Sequence, residues 1–202
     1  MNKAVSRIAG LAVAVFATVS ANAVVFYNVQ IQSPPLSTGS SFNTNANSIS
    51  FFTPNAIVGD PVAPLRSGTL NIQYDADAGI GVWADQVGIN LGAAIAGSGF
   101  IIFQEQVFEL DANNNEVGGP IGLASHVFDA NSGLNWNTMI VLDRQVPKIR
   151  VKKAFTMSAV DTNVLDLAGV AIVNQNLHLV PEPGTMIALG IGAAALLRRR
   201  RK

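Results

Sequence analysis

The sequence predicts an all-β fold: an antiparallel β-sandwich of jelly-roll type, flanked by an N-terminal signal-peptide helix and a C-terminal transmembrane helix. Three observations carry this expectation. Apolar and polar residues alternate with period two in several short runs of the middle, the pattern of strands with one buried face. Gly, Asn, Asp and Pro separate those runs, and no long capped helical period lies between them. Each end instead carries a continuous apolar stretch flanked by basic residues.

The N-terminal stretch reads as a secretory signal. Lys3 and Arg7 form a basic head, residues 8–19 are apolar, and Ala21 and Ala23 have the small-residue spacing that signal peptidase accepts. The apolar run is short for a membrane span, so cleavage after Ala23 is expected, leaving Val24 as the mature N-terminus. An uncleaved anchor is the alternative reading of the same residues.

The middle, 24–179, is expected to be one β-sandwich ectodomain. Residues 25–31 make a first strand, and 33–53, rich in Ser, Thr, Asn and Pro, read as a loop-rich arm. Leu70, Ile72 and Tyr74 alternate with polar neighbours, as do Val87, Ile89 and Leu91. The Gly- and Ala-rich 91–97 segment is compatible with a short helix. Residues 100–110 form a longer strand, 111–120 a turn, and 123–128 the returning strand. A short central strand is expected at 139–142. Ile149, Val151, Phe155, Met157 and Ala159 share one face of the next strand, opposite Arg150, Lys152, Thr156 and Ser158. Segments 165–173 and 175–180 complete the set.

The formal net charge of zero hides an asymmetry. Seven of the thirteen basic residues lie in the two terminal segments, leaving six in the middle against twelve acids. A middle near −6 argues against nucleic acid as a partner. There is no cysteine, which excludes disulfides, thiolate nucleophiles and thiolate metal sites. At 49% hydrophobic and 13% charged residues, the chain can build a core and is not a disordered polymer.

Candidate chemistry is sparse. His126 and His178 have no metal-ligand spacing and read as surface or edge residues. Neither a nucleophile elbow nor a phosphate loop is present. Asp75 with Asp77, and Asp111, Asn113 and Asn115, have oxygens spaced as calcium ligands are. However, Glu116 takes the place of the glycine such a loop needs, and Asp and Asn are ordinary turn residues. No catalytic residue, metal ligand or cofactor is therefore assigned. Trp83 and Trp136 are candidates to stack on sugar rings, or else core-rim residues. Arg144, Lys148, Arg150, Lys152 and Lys153 could meet an acidic polysaccharide, but a solvated face or a protected edge strand is the plainer reading.

The C-terminal segment, 180–202, is the most specific. Val180, Pro181, Glu182 and Pro183 precede a thirteen-residue apolar run, 185–197, and then Arg198, Arg199, Arg200, Arg201 and Lys202. That run is about 20 Å long as a helix, short for a core of about 30 Å unless the arginines snorkel and the bilayer thins. The five cations form a stop-transfer signal that keeps the C-terminus cytoplasmic. Two prolines hold the segment before the apolar run extended and readable. This order resembles the PEP-CTERM sorting domain of bacterial exported proteins. The resemblance implies recognition of Pro181, Glu182 and Pro183 by exosortase, a membrane-embedded cysteine protease, at an inner-membrane intermediate. Delivery to the cell surface or extracellular matrix would follow, in association with extracellular polysaccharide. A plain tail anchor with a proline-rich stem is the alternative.

The sequence thus predicts an exported, non-enzymatic protein with a structural or interaction role. A carbohydrate-binding module is the second reading, and a β-sandwich hydrolase the third.

Overall fold

The computed structural model describes residues 23–62, 65–92, 95–162 and 164–180. The expected signal peptide up to residue 22 and the sorting segment from Pro181 onward lie outside the described residues. Among those described, no helix is long and apolar enough to cross a membrane.

The described residues are all-β, and every strand pairing among them is antiparallel. In order, the strands are β1 (Val25–Gln32), β2 (Ser41–Asn45), β3 (Ser48–Phe52), β4 (Ile57–Gly59), β5 (Ser67–Asn90), β6 (Ile95–Ala96), β7 (Phe100–Glu109), β8 (Gly122–Phe128), β9 (Asn135–Ser158), β10 (Leu167–Gly169) and β11 (Ile172–Leu179). A 3-10 turn, Asp60–Val62, follows β4.

Two strands of 24 residues each, β5 and β9, organise everything else. They pair along two stretches, 67–77 with 148–158 and 82–90 with 135–146, separated by irregular register between Asp77 and Ala84. Bulges of this kind bend and twist a ribbon. On the first stretch β1 adds to β5, while β7 and then β8 add to β9. On the second stretch β11, β3 and β2 follow on the β5 side. Side chains from the two stretches meet. Phe51 of β3 packs on Tyr74 of the first stretch at 5.8 Å between ring centroids. Phe103 of β7 packs edge-on against Trp136 of the second at 5.6 Å. A small sheet, β4-β10-β6, lies apart from this path.

The core follows from the alternation. Tyr74, Phe51, Phe103, Phe128 and Phe155 are among its largest fully buried side chains, each worth about 1.5–3 kcal/mol for the apolar surface it removes from water. Ile149, Val151, Phe155, Met157 and Ala159 are all buried on one face, as the sequence predicts.

Four expectations need correction. The arm at 33–53 contains the β2–β3 hairpin: Ile49 and Phe51 point inward and Ser48 and Ser50 do not, so a polar composition conceals a strand period. The short strand at 139–142 and the one after it are parts of the continuous β9, and the strands near 70 and 87 are parts of β5. Of 91–97, Ile95 and Ala96 form β6 rather than a helix. The 165–173 segment is divided between β10 and the start of β11.

Candidate functional site

A groove of about 440 Å3 crosses the outer face of the first stretch. Gln30 and Gln32 of β1, Asn71 and Gln73 of β5, and Gln104 and Gln106 of β7 line it with six carboxamides, together with Lys152 of β9. Alternation sets this arrangement, since residues two apart on a strand share a face. Exposed Ile102, Leu123 and Val127 lie beyond Gln104 and Gln106 on the same sheet. The groove therefore offers neutral donors and acceptors next to apolar surface.

The basic residues of β9 do not form a free cationic face. Arg150 makes a two-pronged contact with Asp75 at 2.7 and 2.8 Å, and Asp75 is fully buried. Asn28, held in the left-handed conformation (φ 50°) within an irregular stretch of β1, donates to the same carboxylate at 2.8 Å. Lys152 and Arg150 reach Glu116 at 2.6 and 3.2 Å. Lys148 pairs with Asp77 at 3.4 Å, and Arg144 with Glu109 at 2.5 Å. The hydrogen bond from Lys152, then that from Arg150, holds the Glu116 carboxyl below its usual range. Tyr27 donates to Asn114 at 2.8 Å, so ion pairs and this bond together fasten the β7–β8 loop onto the sheet.

The two oxygen-rich segments, one a loop and the other within β5, are occupied from within. Asp111 accepts the backbone N–H groups of Asn113 and Asn115, both at 2.8 Å, closing an Asx turn. The bonds from Asn115, first that of its backbone, lower the Asp111 carboxyl. Asp75 and Asp77 take Arg150 and Lys148. Among the described residues no three His, Asp or Glu side chains gather as a metal site.

Trp136 is half-buried, stacked on His126 at 4.7 Å and set against Phe103 and Phe128. Trp83 lies 5.6 Å from the ring of His178, whose Nε2 is 3.3 Å from Gln86 Oε1. The two tryptophans belong to different surroundings and do not form one stacking platform.

Directly beneath the groove lies a cluster that the sequence reading missed. Glu105, between outward Gln104 and Gln106, points inward; so does Lys153, between Lys152 and Ala154. They are direct cross-strand partners. Lys153 Nζ lies 2.6 Å from Glu105 Oε2 and also touches Gln175 Oε1 of β11. Gln175 Nε2 donates to Glu105 Oε1 at 2.9 Å. Asp85 and Tyr74 complete the group; neither Asp85 oxygen nor the Tyr74 hydroxyl has a hydrogen bond of good geometry, and Glu105 Oε2 meets Lys153 as an ion pair without one. All five residues are at most 2% exposed. Burial, then the neighbouring Glu105 charge, pushes the Asp85 carboxyl well above the usual range. Burial, then Asp85 and Glu105, does the same to the Tyr74 phenol.

Ala23, part of the expected signal-peptidase site, is exposed; Val24 after it is buried, and its N–H donates to Ala46 O at 2.7 Å. Val180 is half-buried at the other end, and its N–H donates to Gly81 O at 2.7 Å. Ala21, Pro181, Glu182, Pro183 and the cations from Arg198 to Lys202 lie outside the described residues.

An all-β domain whose last strand leads directly into a Pro-Glu-Pro segment is thus the body of an exported protein. The segment is the PEP-CTERM protein-sorting motif, which matches residues 179–202, and the chain is a PEP-CTERM domain-containing protein. No curated protein matches the chain. Among solved structures, TmCBM61 in complex with β-1,4-galactotriose is similar at TM-score 0.32 and 11% identity, over 77% of this chain and 87% of that one. A carbohydrate-binding module of the β-sandwich superfamily gives 0.37 and 9%, over 81% and 58%. The family 11 carbohydrate-binding module of Clostridium thermocellum, with a β-1,3-1,4-mixed-linked tetrasaccharide, gives 0.29 and 10%, over 82% and 91%. Likeness at this level carries no ligand over to this chain.

Proposed function

We propose that this is a cell-surface or extracellular-matrix protein with a structural or interaction role and no catalytic one. Its body, 24–179, is a β-sandwich of jelly-roll type, delivered by signal peptidase and then exosortase. The observation that carries this is the sorting motif itself. The ends of the body support it. Cutting after Ala23 keeps the buried Val24 and its bond to Ala46, and cutting beyond Val180 keeps the bond to Gly81. Both processing events would leave the fold intact.

The test is intact mass and fractionation of the protein from its native host, beside a Pro181→Ala, Glu182→Ala, Pro183→Ala variant. Wild type should begin at Val24, lack the arginine tail and lie outside the cell, while the variant keeps its tail in the membrane. If both retain the tail in the inner membrane, the exosortase reading fails.

The carboxamide groove favours a second reading, contact with extracellular polysaccharide. Amides both donate to and accept from sugar hydroxyls, and a lining made mostly of carboxamides, with Lys152 already paired to Glu116, limits the cost of desolvating charges. Replacing Gln104 and Gln106 with Ala should weaken binding to the host's own polysaccharide roughly tenfold, for about 1.4 kcal/mol of lost hydrogen bonding. Absence of wild-type binding, there and on a glycan array, would remove this reading.

A further inference from the structure

The buried Lys153–Glu105–Gln175 cluster holds a nucleophile, an electrophile and a proton carrier in mutual contact. The geometry points to an intramolecular amide bond that forms without another enzyme between Lys153 Nζ and Gln175 Cδ, joining β9 to β11 through the core. This inference is independent of what the protein binds.

Three contacts bring the reacting groups together, an ion pair and two hydrogen bonds. Lys153 Nζ touches the oxygen of the Gln175 carboxamide, one bond from the carbon it would attack. An ammonium cannot attack, so the nitrogen must first lose a proton, and Glu105 Oε2 is 2.6 Å away to receive it. That transfer replaces the ion pair with two neutral groups. The departing nitrogen must then gain a proton. Gln175 Nε2 already donates to the other oxygen of the same carboxyl, Oε1, at 2.9 Å. Glu105 thus bridges nucleophile and leaving group, and its two oxygens serve the two ends of one proton relay.

The balance is complete. The Nζ–Cδ bond forms and the Cδ–Nε2 bond breaks. Lys153 gives up two protons: one goes to the departing nitrogen, which leaves as ammonia, and one stays on Glu105. No oxidant, reductant or co-reactant takes part. Asp85 is a positioning residue here. It sits on β5 beside β11, diagonal to Gln175 in the ladder, and crowds Glu105 with a second carboxyl. Phe103 lies 5.9 Å from Lys153 Nζ. With Tyr74 and Phe155 also buried, the surroundings exclude the water that would compete for the carboxamide carbon.

The bond would give a chain without cysteine a covalent link of its own. Lys153 and Gln175 are 22 positions apart and lie on opposite stretches of the folded sheet, so the link would fix one layer to the other. It would hold whether the surroundings are oxidising or reducing, unlike a disulfide.

The experiment is peptide mapping of the full chain after folding. No Lys or Arg lies between Lys153 and Arg198 in the sequence. Trypsin should therefore fail to cut after Lys153, and the peptide holding both residues should be lighter by one ammonia. Tandem fragmentation should give no backbone fragments between positions 153 and 175. Glu105→Gln keeps the size and shape of the side chain, but one of its two acceptor oxygens becomes an NH2 donor and it cannot carry the proton. Its Lys153 should be cut normally, with full peptide mass. An unmodified wild-type peptide would overturn the proposal, as would loss of water with Lys153 joined to Asp85. Equal cross-linking in Glu105→Gln would overturn the role given to Glu105.

Discussion

Asp75 is fully buried, and Arg150 and Asn28 replace the water it gives up. Arg150→Met should cost about 3–5 kcal/mol, because it leaves a buried charge without its partner. The double variant Asp75→Asn, Arg150→Met should recover much of that loss, read as denaturant midpoints at constant slope. Asp85 gives a prediction of opposite kind. Its folded carboxyl holds its proton well above the usual range, so the native state binds more protons than the unfolded chain. Stability should therefore fall as pH rises from about 4, by about 1.4 kcal/mol per pH unit, until the folded group itself ionises. Asp85→Asn should lack this slope, so its advantage over wild type grows with pH in denaturation series from pH 4 to 7. Four of the buried polar residues keep the inward phase of their strands, although Lys153 is expected with its basic neighbours on a solvated face and is instead buried. Asp85 keeps phase with Val87 and Ile89, Glu105 with Phe103 and Val107, Lys153 with Val151 and Phe155, Gln175 with Val173 and Leu177. Their convergence was not legible in the sequence, because it depends on two stretches of one sheet facing each other across a bend.

Among elements, the hairpin β2–β3 was hidden by composition and the long strands by their bulges. Ile49 and Phe51 are fully buried, and Phe51 meets Tyr74, so Phe51→Ala should cost about 3–5 kcal/mol through transfer and cavity terms. A true surface arm would lose almost nothing by that change. Period two survives on both sides of the irregular register in β5, but its phase is broken there, so a continuous strand reads as two. Glycines give a matched comparison. A Cβ at Gly59 (φ +107°) would lie 2.2 Å from Asp166 O, where β4 meets β10, whereas one at Gly118 (φ +72°) would meet nothing within 4 Å. Gly118→Ala should cost about 1–2 kcal/mol, the price of the left-handed backbone alone. Gly59→Ala should cost clearly more, because the small sheet must open to admit it. Thermal unfolding of the two variants side by side separates backbone strain from collision.

At the scale of the whole molecule, the proposed processing would change the charge in steps. The full chain has thirteen basic and thirteen acidic residues. Removing Lys3 and Arg7 with a signal peptide leaves an intermediate near −2. Losing the five terminal cations and Glu182 as well brings the body to about −6, with six basic and twelve acidic residues. Five of those six basic residues, Arg144, Lys148, Arg150, Lys152 and Lys153, lie on β9 and are engaged by carboxylates of β5, β7 and the loop after β7. The sixth, Arg66, pairs with Asp60 at 2.5 Å. If both ends are removed as proposed, the uncompensated charge of the body is negative, and repulsion between copies should keep it dispersed at low ionic strength. Isoelectric focusing of membrane and extracellular fractions should resolve a near-neutral precursor, a slightly acidic membrane form and a strongly acidic extracellular one. The Pro181, Glu182, Pro183 to Ala variant should stop at the membrane form. An extracellular form that focuses with the membrane form would mean that the cationic tail leaves with the protein. The segment would then anchor or escort the body without being cut from it.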